Sequence, residues 1–146
     1  MDLISKPFEI TRKIQLLRIM ERLDLLPESE LCTLLAIREL NEKASRGAGV
    51  SEIAALLNVA VPTVSRCLRK LSAKGYISKT LNEKDRRGTY VTLTQEGEAI
   101  CLHSYEVLTD FIRRAFSHLP PSELEQFFST FDKVYDALVS ELSCIS

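Results

Sequence analysis

Tryptophan is absent from this sequence, histidine occurs twice, and glycine and proline occur five times each. None of the glycines falls into a loop that could cradle a phosphate. The two histidines, His103 and His118, stand too far apart in sequence to share a helical face as a metal pair. The four cysteines, Cys32, Cys67, Cys101 and Cys144, form no C-x-x-C pair and no Cys/His set at zinc spacing. No Ser/His/Asp or Cys/His constellation is visible either, so neither an enzyme nor a metal or other cofactor is expected. No apolar run is long enough to cross a bilayer. The segment Met1-Asp2-Leu3-Ile4-Ser5-Lys6-Pro7 lacks the charged-then-apolar build of a signal peptide. A cytoplasmic protein without membrane contact is expected, its cysteines reduced and packed as small residues near a core.

What is present is an uneven distribution of charge. The 146 residues are 45% hydrophobic and 27% charged, enough for one domain or two small lobes sharing a core. Net charge is only −1. Between Val61 and Tyr90, however, Arg66, Arg69, Lys70, Lys74, Lys79, Lys84, Arg86 and Arg87 face only Glu83 and Asp85, a net +6 that leaves −7 for the rest. A basic patch on an acidic body concentrates positive potential where a phosphate backbone can dock.

The spacing of Ile10, Ile14, Leu17 and Leu23, with Ile19 and Met20 between, predicts one helical stripe over residues 8–24, interrupted by Pro27. A helix follows from Glu28 to Lys43, then a loop over residues 44–49. Val50-Ser51 opens a short helix from Glu52 to Leu57, with Ser51 as its N-cap. After the turn Asn58-Val59-Ala60-Val61, Pro62 suits the first position of a helix ending near Lys74, with Gly75 as its left-handed stop. This is helix-turn-helix grammar. Tyr76 to Asn82 and Thr89 to Thr94 are β-rich and flank a polar turn, a hairpin wing in which Val91 and Leu93 face inward. A long helical pattern runs from Gln95 to Leu119 and ends at Pro120-Pro121. Ser122 and Glu125 form a capping-box signature before a last helix that carries Phe127, Phe128, Phe131, Val134, Leu138 and Leu142. The fold class is therefore mainly α with a small β-hairpin wing. A winged helix-turn-helix domain (28–97) stands between an N-terminal helix (1–27) and C-terminal helices (98–146). The surplus apolar faces of the terminal helices predict a homodimer.

Stepping about 100° per residue along Pro62 to Lys74 puts Val64, Leu68 and Leu71 on one stripe. Pro62, Arg66, Arg69 and Ala73 lie opposite, with Lys70 toward one edge. Such a helix can enter a major groove of double-stranded DNA. Thr63, Ser65 and Arg66 lie near its N-terminal end, where base edges are read, and Arg66 suits a guanine edge. Arg69, Lys70 and Lys74 suit phosphates. In the wing, Arg86 and Arg87 suit an adjacent minor groove, and Asp85 suits a brace that orients an arginine.

Asp85-Arg86-Arg87-Gly88-Thr89-Tyr90-Val91-Thr92-Leu93-Thr94-Gln95-Glu96-Gly97, preceded by Pro62-Thr63-Val64-Ser65-Arg66-Cys67-Leu68-Arg69-Lys70-Leu71 and Gly75-Tyr76-Ile77, resembles the MarR family of bacterial transcription regulators. The resemblance covers most of the chain. It implies a homodimer on a pseudo-palindromic operator, acting as a repressor, with Arg87 in the minor groove and Asp85 bracing it. It also implies release by a small anionic or phenolic effector; the family's peroxide sensing is not carried over, because its reactive cysteine lies close to the N-terminus and the first cysteine here is Cys32. Ala60 and Val61 differ from the polar residues the family often carries before the recognition helix. Two further readings stand beside this one: a winged-helix module that binds protein, and a thiol redox-responsive regulator.

Overall fold

The computed structural model describes residues 5–81 and 88–145. Its elements are α1 (Ser5–Leu16), α2 (Ile19–Arg22), α3 (Glu28–Lys43), β1 (Ala48–Gly49), α4 (Val50–Leu57), α5 (Val61–Ala73), β2 (Ile77–Leu81), β3 (Thr89–Leu93), α6 (Gln95–Phe116) and α7 (Pro121–Ser143). The expected class is present: mostly helix, with a small antiparallel sheet.

The sheet has three strands, in the order β1-β3-β2. Ile77 pairs with Leu93 and Leu81 with Thr89, while on the other edge Ala48 pairs with Val91. The expected two-stranded wing thus gains a strand from residues 44–49, which the sequence reading assigned wholly to a loop. Two residues are too few to show a period of two, and pairing to β3 alone makes them a strand.

The core forms where α3, α4 and α5 meet this sheet. Leu34, Ile37, Ile53, Val64, Leu68, Leu71 and Val91 are buried there, with Leu93 packed at the margin. Val91 and Leu93 face inward as their alternation requires.

Helix starts depart from expectation in four places. The stripe over residues 8–24 is two helices, because Arg18 is left-handed (φ 47°). The bonds from Leu17 N–H to Ile14 O and from Arg18 N–H to Gln15 O tighten the last turn of α1 before the break. Ser51 is not a cap: α4 begins at Val50, and the Glu52 carboxylate accepts the Gly49 N–H at 2.8 Å. Val61, expected outside α5, is its first residue, with Ala60 extended (ψ 143°) as N-cap and Pro62 one position in. At either position proline removes only a donor the helix leaves free. The capping box at Ser122 does not form, because α7 starts at Pro121 with Pro120 as cap, leaving Ser122 already helical.

The junction of wing and α6 is built on one threonine. Thr94 Oγ1 donates to Gly75 O (2.6 Å) and accepts the Gly97 N–H (3.1 Å). Thr94 N–H reaches Tyr76 O at 3.1 Å. Any Cβ at position 97 would collide with the Tyr76 carbonyl oxygen, so glycine is required there.

The chain divides into two compact units, Met1–Glu106 and Val107–Ser146. In the second, Phe127 packs edge-on against Phe128 and stacks with Phe131, and Phe128 also meets Phe116. Helix α7 buries none of its residues. Among the described residues no helix is long and apolar enough to cross a membrane, and no cluster of three metal-ligating side chains occurs.

Candidate nucleic-acid interface

Helix α5 is held on the core by Val64 (1% exposed), Leu68 (2%) and Leu71 (0%), the predicted stripe. Cys67 is buried beside them. The helix ends in a paired cap: Tyr76 N–H bonds Leu71 O and Gly75 N–H bonds Ser72 O, both at 3.0 Å. That closure needs a left-handed residue, and Gly75 supplies it at φ 76°. The cap turns the chain directly into β2, which packs against α5.

Burial on one side leaves the other free. Pro62, Thr63, Arg66, Arg69, Lys70 and Lys74 are all exposed, and Ser65 is half-buried. The structure therefore brings the helix-borne candidates onto one element. Their positive charge faces solvent, where its attraction for phosphate is not cancelled by burial. Asp85, Arg86 and Arg87 lie outside the described residues.

Lys74 differs from the other cations. Its Nζ donates to Glu30 Oε2 at 2.5 Å, and Glu30 is a buried residue of α3. The sequence reading missed this pair because its members are 44 positions apart.

Periodicity also did not reveal a cleft of about 560 Å³ beside α5. Glu28, Ser29, Cys32 and Thr33 of α3 form one wall. Leu57 and Val59 close an end, and Thr63, Arg66, Cys67 and Lys70 of α5 form the other wall. Arg66 and Lys70 thus border both the cleft and the solvent-facing side of the helix. The cleft also gathers Cys32 and Cys67, which are distant in sequence. Thr33 Oγ1 lies 3.3 Å from Cys67 Sγ and donates to Ser29 O at 2.7 Å. Cys32 and Cys144 are exposed rather than packed in the core, yet partial desolvation against the cleft wall pushes the Cys32 thiol above its ordinary range, aided by Glu28 and Cys67. Burial does the same for Cys101, with Glu98 adding to it and Arg38 opposing. Raised thiols hold less of the reactive thiolate at neutral pH.

A second feature absent from the sequence reading lies on the outer side of the sheet. Arg46 pairs with Glu52 at 2.6 Å and sits over the Tyr90 ring at 5.1 Å. Glu52 also caps α4, so one carboxylate ties the segment before β1 to the first helix of the helix-turn-helix.

Comparison with known proteins agrees with this geometry. Residues 28–89 match the family model described as MarR family. The chain is 28% identical over 93 residues to an HTH-type transcriptional regulator Hpr from Geobacillus thermodenitrificans, covering 64% of this chain and 46% of that protein. It therefore spans about half the length of the curated relatives it matches. The fold superposes on Streptococcus pneumoniae FabT in complex with DNA, with a TM-score of 0.72, 20% identity, and 95% and 99% of the two chains covered. It also superposes on the PcaV transcriptional regulator from Streptomyces coelicolor in complex with its natural ligand, with a TM-score of 0.73, 18% identity, and 94% and 97% covered. The likeness to the MarR family model is thus confined to residues 28–89, from α3 to the start of β3.

Proposed function

We propose that this chain is a sequence-specific, DNA-binding transcription regulator. It acts as a homodimer on a pseudo-palindromic operator, most simply as a cytoplasmic repressor. One observation carries the reading: α5 spends its apolar side on the core and presents Pro62, Thr63, Ser65, Arg66, Arg69 and Lys70 outward beside a small sheet. In this reading α5 enters the major groove, with Thr63, Ser65 and Arg66 at base edges and Arg69 and Lys70 on phosphates. Arg86 and Arg87 reach the next minor groove and Asp85 braces them. Residues 28–97 form the DNA-binding domain. Residues 1–27 and 98–146 supply the dimer surface, supported by the exposed apolar side chains of α1 and of α7.

Selection of bound duplexes from a random pool tests this reading. It should yield two related half-sites about one helical turn apart, bound with an affinity that falls steeply as salt rises. Binding that is indifferent to salt would favour a protein-interaction module instead.

The cleft along α5 is the proposed effector site, for a small anionic or phenolic compound. An anion paired there with Arg66 and Lys70 would engage cations that the operator also needs. Titration with benzoate and phenol as probes should release bound duplex, and Lys70→Ala should blunt the benzoate effect.

A further inference from the structure

Lys74 has the charge of a phosphate contact but not the surroundings of one. The Glu30 carboxylate it meets is only 4% exposed, whereas the lysine side chain is 40% exposed. Among the described residues no second cation pairs with Glu30. Swinging Lys74 out to a phosphate would strip the buried carboxylate of its counter-charge, which is among the costliest changes a core margin can undergo. The pair also carries no net charge, so it adds little to the attraction of a polyanion.

Its position suggests another task. Lys74 caps the trailing end of α5, and Glu30 lies in the first turn of α3. Seven residues earlier on α5, which is two turns and therefore the same side of the helix, Cys67 meets α3 again. There its Sγ lies 3.4 Å from Ser29 O and 3.3 Å from Thr33 Oγ1. The apolar contacts of Val64, Leu68 and Leu71 hold α5 on the core through burial, which is non-directional. Two polar contacts two turns apart add fixed points between α5 and α3. Of the two, the ion pair is the stronger, being charge-assisted.

We infer that Glu30 is a positioning residue for DNA binding. Acting through Lys74, it pins the trailing turn of the recognition helix to α3 and so sets the angle at which Arg66 and Arg69 are presented. This inference rests on the DNA-binding reading above. It removes Lys74 from the phosphate contacts and assigns it to the clamp.

Glu30→Gln, Lys74→Gln and the double variant separate the two roles, using a duplex selected by the unaltered chain and affinities measured across a range of salt. By charge alone, Glu30→Gln should tighten DNA binding, because it deletes an anion near a polyanion. The clamp requires the opposite sign: both single variants bind about tenfold more weakly. Their plots of log affinity against log salt stay parallel to that of the unaltered chain. The double variant, with a neutral amide pair, recovers most of the loss. Amide hydrogen exchange over residues 70–75 should quicken in both single variants and slow again in the double. If Lys74→Gln makes the salt slope shallower by about one while Glu30→Gln binds as well or better, Lys74 is a phosphate contact and the inference fails. Unchanged affinity in both single variants also overturns it. Should Lys74→Gln not fold, Glu30→Gln and the double variant still decide. If the unaltered chain selects no duplex, the DNA reading falls and the clamp falls with it.

Discussion

Helices α5 and α7 are both amphipathic, and they use that property in opposite ways. Over 13 residues, α5 buries Val64, Cys67, Leu68 and Leu71 and turns its cations outward. Over 23 residues, α7 buries nothing, and Phe131 and Leu138 stand 57% and 60% exposed. The same period of 3.6 underlies both patterns. What separates them is the neighbouring structure: α5 has α3, α4 and a sheet against its apolar side, which leaves its polar side for a ligand. The apolar side of α7 remains open, in keeping with a second copy of the chain as its proposed cover.

The contrast can be broken by substituting the apolar sides of the two helices. Leu71→Ala should have the largest effect, lowering unfolding free energy by about 3 kcal/mol, as read by denaturant titration at any protein concentration. A loss that vanished on raising the concentration would mean that α5, too, depends on the partner. Phe131→Glu combined with Leu138→Glu should leave the helix-turn-helix folded but halve the mass in light scattering. Affinity for a duplex with two half-sites should drop about 100-fold, with a single half-site bound as before. Retention of the full mass would place the dimer surface elsewhere.

Two smaller effects sharpen the polar side of the comparison. Arg87→Ala should weaken operator binding by more than about 1 kcal/mol without changing the mass, and an unaltered gel shift would take the wing out of the mechanism. On the cleft side of α5, the raised Cys32 thiol holds less thiolate than a free thiol at pH 8. Its alkylation by iodoacetamide should therefore be slower than that of a small reference thiol there and should keep accelerating above pH 9. Rapid alkylation at neutral pH, followed by mass spectrometry, would instead revive the thiol redox reading.

Much of this was legible in the residues. The stripe Val64–Leu68–Leu71 needed only helical periodicity, Gly75 only the chemistry of a left-handed stop, and the β3 alternation only a period of two. Each signal is local, so a window of a dozen residues contains it. Helix starts were less legible. At Ser51 and Ser122 a good capping residue was present, but the helix began before it. Which residue caps depends on where the chain enters the helix, and Gly49 and Pro120 were placed there by the elements preceding them.

What the sequence determined by itself is the succession of the longer helices and the hairpin, the buried stripe of α5 and the excess of positive charge opposite it. Only the tertiary structure decided that residues 48–49 join the sheet, that α3 and α5 enclose a cleft bordered by Arg66 and Lys70, and that Lys74 is held by Glu30. Each of these is a contact between segments that no local window spans, made only once burial of the shared core has brought the segments together.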